Sequence, residues 1–210
     1  MKTEDLIDAL ATGIEPVRPA RLSPLLLGGA AAAAVVSVVL LLGLRPDLGT
    51  AIGGAALWLK AGYTIGVAAA ALWLVTRLGR PGVVLGYSGW SVVAVIVLAG
   101  LTGAIELLLT PAEARMDAWL GQTWRACGLN ILKISAFTAP LVFLAARSMA
   151  PTRPMAAGAA AGLLTGAVAA TAYGLHCPEA TAAFVATWYT LGMLAPAGLG
   201  AVIGRFALRW

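Results

Sequence analysis

Apolar residues in this chain come in long runs, without the strict alternation of a half-buried strand. Six such runs stand between polar interruptions, at residues 22–44, 48–75, 83–109, 127–146, 155–175 and 180–203. Each is near the twenty or so residues that carry a helix across a hydrocarbon layer roughly 30 Å thick at 1.5 Å per residue. Valine- and glycine-rich runs make poor helices in water, but lipid offers backbone groups no other partner, so the runs are read as helices. The interruptions carry turn chemistry: Arg45-Pro46-Asp47, Arg80-Pro81-Gly82, Pro151-Thr152-Arg153-Pro154 and Cys177-Pro178. The pattern predicts an all-α integral membrane protein, a bundle of six transmembrane helices over residues 22–210, preceded by a tail at 1–21. The tail is polar and holds four acids, Glu4, Asp5, Asp8 and Glu15, ahead of the first run, which is not the layout of a cleaved signal peptide.

Within the runs, glycines recur at every fourth position: Gly62 and Gly66, then Gly158, Gly162 and Gly166, then Gly200 and Gly204. Such faces let backbones approach closely, and packing inside one bundle is their expected use. Pro140 and Pro196 fall inside the fourth and sixth runs and are expected to kink them or to lie near their ends. Composition agrees with lipid as the solvent, at 60% hydrophobic and 11% charged residues with a mean hydropathy of +0.91. The net charge of +5 comes from basic residues scattered singly or in pairs between the runs, so it argues topology and not direct nucleic-acid binding.

With both termini in the cytoplasm, Lys2, Arg18, Arg21, Arg77, Arg80, Arg147, Arg153, Arg205 and Arg209 fall on the inner side. Arg45, Arg115 and Arg125 fall on the outer, nine against three. That bias over short loops sets the orientation, N-in and C-in. Lys60 and Lys133 remain inside the bilayer. Lys60 is expected near the midplane, held by Glu106 or by a helix carbonyl. Lys133 and Glu106 lie towards the outer helix ends, where Lys133 can snorkel to headgroups.

The two cysteines, Cys127 and Cys177, fall on the outer side together. Three readings stand: small buried hydrophobes, a structural disulfide, or a reactive pair that senses metal or redox change. His176 is the single histidine, so a tetrahedral metal site would have to draw on Cys127, Cys177, His176 and an acid such as Glu179. Two thiolates suit a soft metal, copper or cadmium, bound transiently; no resident cofactor is expected. The tail adds a short amphipathic stretch, Thr3 to Leu10, with Thr3 as N-cap, acids in its first turn, and Leu6 and Leu10 four apart; Thr12-Gly13 ends it. Its acidic polar face suits docking on a basic protein surface better than lying on a membrane.

Several stretches, in order along the whole chain, resemble the NrsF family of membrane-bound anti-sigma factors. They are Met1-Lys2-Thr3-Glu4-Asp5-Leu6-Ile7, Gly43-Leu44-Arg45-Pro46-Asp47-Leu48, Trp58-Leu59-Lys60, Ala150-Pro151-Thr152-Arg153-Pro154, Leu175-His176-Cys177-Pro178-Glu179 and Trp188-Tyr189-Thr190-Leu191-Gly192, with Cys127 close after Trp124. The resemblance implies a multi-pass protein of the bacterial inner membrane that holds an extracytoplasmic-function sigma factor from the cytoplasmic side. It also implies that two periplasmic cysteines, matched here by Cys127 and Cys177, sense metal or redox stress; His176 and Glu179 join the expected sensing set because they flank Cys177, where a protonated imidazole can lower the thiol pKa. The tail residues Leu6, Ile7 and Leu10 are then the expected contacts with the sigma factor. The alternative is a small membrane transporter or channel, favoured by Lys60, Lys133 and the prolines but lacking an ion-pair ladder or inverted repeat. A thiol oxidoreductase would want a Cys-X-X-Cys pair or a redox cofactor site, and no nucleophile, base and acid assemble in the sequence, so no enzyme is expected.

Overall fold

The computed structural model describes residues 3–12, 22–80, 87–149 and 151–209. Lys2, Arg18, Arg21, Gly13, the Pro81-Gly82 turn, the expected start of the third run at Val83, and Ala150 lie outside the described residues. Helix α1 spans Thr3–Ala11 and buries none of its residues. It starts at Thr3 itself, so Thr3 stands in the first turn and not ahead of it, and the Thr12 hydroxyl donates back to the Asp8 carbonyl at 2.6 Å.

Six further helices follow: α2 Pro24–Leu41, α3 Ala55–Leu78, α4 Tyr87–Leu109, α5 Trp124–Arg147, α6 Pro154–Tyr173 and α7 Ala182–Ala207. With its approach segment counted to α5, each is long and apolar enough to cross a membrane. Ser23 and Pro24 start α2 in the usual way, a hydroxyl cap followed by a residue with no N–H to satisfy. The second run differs from expectation. Its first residues form a separate turn at Leu48–Ala51, Gly53 and Gly54 intervene, and α3 opens only after the extended Gly54. Pro140 and Pro196 stand within α5 and α7.

Successive helices alternate in direction. At one end the α2–α3 connection meets the α6–α7 connection, where the Arg45 N–H donates to the Leu175 carbonyl at 3.2 Å. At the other end Gly79, after α3, lies against Met149, after α5, and Gly204 near the end of α7 lies against Pro154 and Gly158 at the start of α6. The start of α2 and the end of α7 therefore share the end opposite the cysteines.

Helix α6 is the axis of the bundle: 72% of its apolar window is buried, against 11% for the peripheral α4. Its alanines and glycines are the cause. A Cβ placed on Gly158 would overlap the Gly200 carbonyl, one on Gly162 the Pro196 carbonyl, and one on Gly166 would stand 2.9 Å from the Met193 carbonyl. Two glycine faces thus mesh backbone to backbone, as expected of small residues four apart. The Gly62 and Gly66 face does not. Gly62 meets nothing within 4 Å, and Gly66 has ordinary contact with Val95 at 3.5 Å.

Candidate functional site

Cys127 is the fourth residue of α5, and Cys177 lies one turn past the C-terminus of α6, its N–H bonded to the Tyr173 carbonyl at 3.0 Å. Both are unpaired thiols with no solvent exposure. The Thr123 hydroxyl, one turn before Cys127 on the same face, lies 3.9 Å from the Cys177 sulfur. The two thiols fall within electrostatic reach of each other, of Lys60 and of Glu179. Tyr173 and Tyr189 stand beside the Cys177 thiol with ring centroids 5.8 Å apart, and the Tyr189 hydroxyl is buried. Tyr189 ends a wide turn of π type, Val185–Tyr189, inside α7, a local geometry that recurs at functional sites.

Cys177 stands in the segment 174–181, which is tied down along most of its length. His176 Nδ1 lies 2.9 Å from the Gly43 carbonyl, which can only accept, so Nδ1 carries the proton. The Cys177 carbonyl accepts from the Lys60 ammonium at 3.1 Å and from the Arg45 guanidinium at 3.4 Å. One carboxylate oxygen of Glu179 accepts from the N–H groups of Gln122 and Thr123 at 2.8 and 3.0 Å and from the Thr123 hydroxyl at 3.1 Å. The Thr181 hydroxyl donates to the Ala118 carbonyl at 2.8 Å.

These contacts follow the charges at helix ends. The C-terminal end of α6 gathers carbonyls and receives two cations, and the N-terminus of α5 presents unbonded N–H groups and receives Glu179. The N-terminus of α7 is served in the same way from α4, where Glu106 accepts from the Ala183 N–H at 2.8 Å. Two glycines make room. Gly43 at φ 79° turns its carbonyl to His176. At Gly121, φ 58°, a Cβ would stand 2.6 Å from Glu179. Outside the bundle Arg45 grips Asp47 through two hydrogen bonds of 2.7 and 2.6 Å, which hold the Asp47 carboxyl below its ordinary range and push the Arg45 guanidinium above its own.

Several residues expected to matter thus stand together, although not always as foreseen. Lys60 is only 4% exposed, yet it is the sixth residue of α3 because that helix starts late, so it sits near the thiol end and not at the midplane. Its ammonium takes the carbonyl of Cys177 and lies 5.5 Å from the Tyr189 ring centroid, while Glu106 caps α7 instead of pairing with it. His176 and Glu179 are engaged as fasteners. Among the described residues no three His, Cys, Asp or Glu side chains gather as a metal site, so the four-ligand set of Cys127, Cys177, His176 and Glu179 is not assembled. Lys133 is exposed on α5, and Leu6, Ile7 and Leu10 are exposed on α1. The sequence reading missed Gly43, Gly121, Thr123, Tyr173 and Tyr189 as parts of this site. It met Arg45-Pro46-Asp47 as a turn and part of a family-like stretch; the acid two residues after a lone outer arginine was the available signal of a held guanidinium.

Comparison with known proteins covers nearly the whole chain. The family model described as "NrsF: Negative regulator of sigma F" matches residues 10–210. The anti-sigma-F factor NrsF of Caulobacter vibrioides is 44% identical, and a probable anti-sigma-F factor NrsF of Azospira oryzae 41% identical, each over the full length of both chains. No solved structure matches.

Proposed function

Because this chain belongs to the NrsF family, we propose that it is an anti-sigma factor embedded in the bacterial inner membrane, holding an extracytoplasmic-function sigma factor until its periplasmic thiols are modified. The observation that carries the reading is full-length identity above 40% to two proteins of that name, joined to a buried thiol pair at one end of the bundle. The setting is supported by the six apolar helices. It is also supported by tryptophans at both ends, with Trp58, Trp119, Trp124 and Trp188 near the thiols and Trp73 and Trp90 towards the other end, as interfacial belts require. Arg77, Arg80, Arg147, Arg153, Arg205 and Arg209 lie at the end away from the thiols, which favours that end as cytoplasmic.

In this reading residues 1–21 are the tail that grips and 22–210 the membrane unit. The exposed Leu6, Ile7 and Leu10 of α1 supply an apolar face for a groove on the sigma factor, with Glu4, Asp5 and Asp8 around it. Cys127 and Cys177 respond to soft metal ions such as copper or cadmium, or to oxidants. The helices that join the two ends are 24 residues long in α3 and α5, a lever of about 36 Å at 1.5 Å per residue. A tenfold loss of sigma affinity needs only about 1.4 kcal/mol of difference between two arrangements. The test is a sigma-dependent reporter read beside membrane abundance. Cys127→Ser, Cys177→Ser and the double variant should each lose induction by copper or cadmium to the same extent, at wild-type abundance. Normal induction in the double variant would remove the thiols from the mechanism.

A further inference from the structure

A buried ammonium is costly, and Lys60 spends its charge on one carbonyl and one aromatic face. Among the described residues it forms no ion pair, the Arg45–Asp47 bridge being the one present. That single carbonyl belongs to Cys177. Lys60 therefore joins the segment that carries Cys177 to α3, and α3 is joined one turn further on to two more helices: Thr64 accepts from Thr171 of α6 at 2.9 Å, and Tyr63 bonds Thr190 of α7. Lys60 also lines a cavity of about 600 Å³ between α3, α4 and the start of α7, and the same cavity is lined by Glu106, Thr102, Tyr63 and Ala182. Its own packing thus leaves open space on the side facing Glu106. The Glu106 carboxylate meanwhile holds the N–H of Ala183, and Gly103, one turn before it, lets α4 press on Ala183, where a Cβ would stand 2.9 Å from the Ala183 Cα.

We propose that Lys60 is a two-position lysine: bonded to the Cys177 carbonyl it holds the 174–181 strap, and Cys177 with it, in the buried position, and when the strap leaves it crosses the shared cavity to the Glu106 carboxylate. The first position has one neutral acceptor and no carboxylate within salt-bridge distance of the cation. Loss of that acceptor in a low-dielectric interior leaves the ammonium unsatisfied, and Glu106, the carboxylate that lines the same cavity, is the group that answers it. Pairing draws Glu106 off the first turn of α7, next to the wide turn that ends at Tyr189. Displacement of the strap at the thiols is thereby converted into release of the α7 N-terminus. This deepens the thiol-sensing reading by naming the group that carries the signal out of the site, and it rests on that reading for its biological purpose alone.

The test uses the purified full chain with N-ethylmaleimide, which adds to a thiol without a leaving group, and follows labelling rate and backbone hydrogen exchange. Lys60→Met should label at Cys177 about tenfold faster than wild type, since opening free energy sets access to a buried group. Lys60→Arg, which keeps a charged donor, should stay near the wild-type rate. Glu106→Gln keeps an acceptor for the Ala183 N–H and should leave labelling unchanged. After labelling, exchange in residues 182–189 should rise in wild type, and stay flat in Glu106→Gln and in Lys60→Met. Wild-type labelling in a folded Lys60→Met, or exchange that rises equally in Glu106→Gln, would overturn the switch. Should Lys60→Met fail to accumulate, Arg45→Ala, which removes the other cation on the same carbonyl, must speed labelling, and an unchanged rate there overturns the latch. The reporter assay on the cysteine variants judges sensing separately, because labelling and exchange involve no sigma factor.

Discussion

The seam between α6 and α7 and the strap that carries Cys177 hold the same helices by opposite means. At the seam, glycines let one backbone lie in van der Waals contact with the other over three turns, and the attraction is the sum of many weak, short-range contacts. At the strap, seven directed hydrogen bonds involving Arg45, Lys60, His176, Glu179 and Thr181 reach across between separate elements. A packed seam has one arrangement, since any slip puts a Cβ or a carbonyl into occupied space. A set of directed bonds can be exchanged for another set at little net cost, because each lost acceptor can be replaced. Rigidity of the first is what makes movement in the second informative at a distance: the strap can shift while α6 and α7 stay locked.

Breaking the seam should therefore do the greatest damage. Gly162→Leu must place a branched side chain where the Pro196 carbonyl already sits, with no flexible side chain to yield. The expected cost is about 3 kcal/mol or more, typical of forced overpacking against backbone, and the measured result should be loss of folded protein from the membrane fraction. Gly62→Leu is the internal control, with nothing within 4 Å to oppose it, and should accumulate at the wild-type level. Equal loss in both would show that the seam is not special.

A smaller effect is expected at the strap from Gly121→Ala. The residue has φ 58°, and its new methyl would meet the Glu179 carboxylate at 2.6 Å. Strain and a displaced cap together should cost about 1–2 kcal/mol, read as a lowered thermal midpoint in detergent. Gly62→Ala on α3 should be neutral or stabilising by a few tenths of a kcal/mol for lack of neighbours and helical backbone. A Gly121→Ala protein as stable as wild type would mean that the cap on α5 contributes little.

The seam was more legible in the sequence than the strap, for a physical reason. Helices that cross lipid are written in composition, because every residue of the run must suit the solvent, so the six runs could be read from apolarity and their ends from proline and glycine. Glycines four apart on two consecutive runs likewise announced close approach, although spacing alone did not separate Gly158, Gly162 and Gly166, which face a partner, from Gly62, which faces none. The strap is built from pairs distant in sequence, Arg45 and Lys60 with Cys177, Gly43 with His176, and Thr123 with Glu179, and no periodicity connects them. Family-like stretches did hold Arg45, Lys60, Cys177 and Glu179, yet they gave no account of who touches whom. Lys60 was misplaced because the Gly53-Gly54 break, which sets the start of α3, was read as the interior of a run.

The finest difference between the two regions is their response to pH, since the glycine seam has no titrating group while the strap carries His176, Cys177 and Glu179 and is held by Lys60 and by Arg45, itself paired with Asp47. Asp47 is exposed and carries two hydrogen bonds from Arg45, so its folded-state pKa lies below the ordinary 3.8. A carboxyl depressed by folding stabilises the folded state at pH above its ordinary value, and the contribution is lost as pH falls through the depressed one. Screening keeps the effect small for so exposed a pair. The expected outcome is a thermal midpoint unaffected by Asp47 from pH 7 to pH 5, with a decline below about pH 4 that is weaker in Asp47→Asn. Arg45 is the link to the site, because with Asp47 protonated its guanidinium loses the charged partner that orients it towards the Cys177 carbonyl at 3.4 Å. Labelling of Cys177 by a dipyridyl disulfide, which its protonated pyridine keeps reactive in acid, should accordingly be slightly faster in Asp47→Asn than in wild type at pH 7, and the same ratio should shrink towards one at low pH, where both proteins carry a neutral residue 47. A ratio that stays constant across that range would show that Asp47 acts by shape and not by charge.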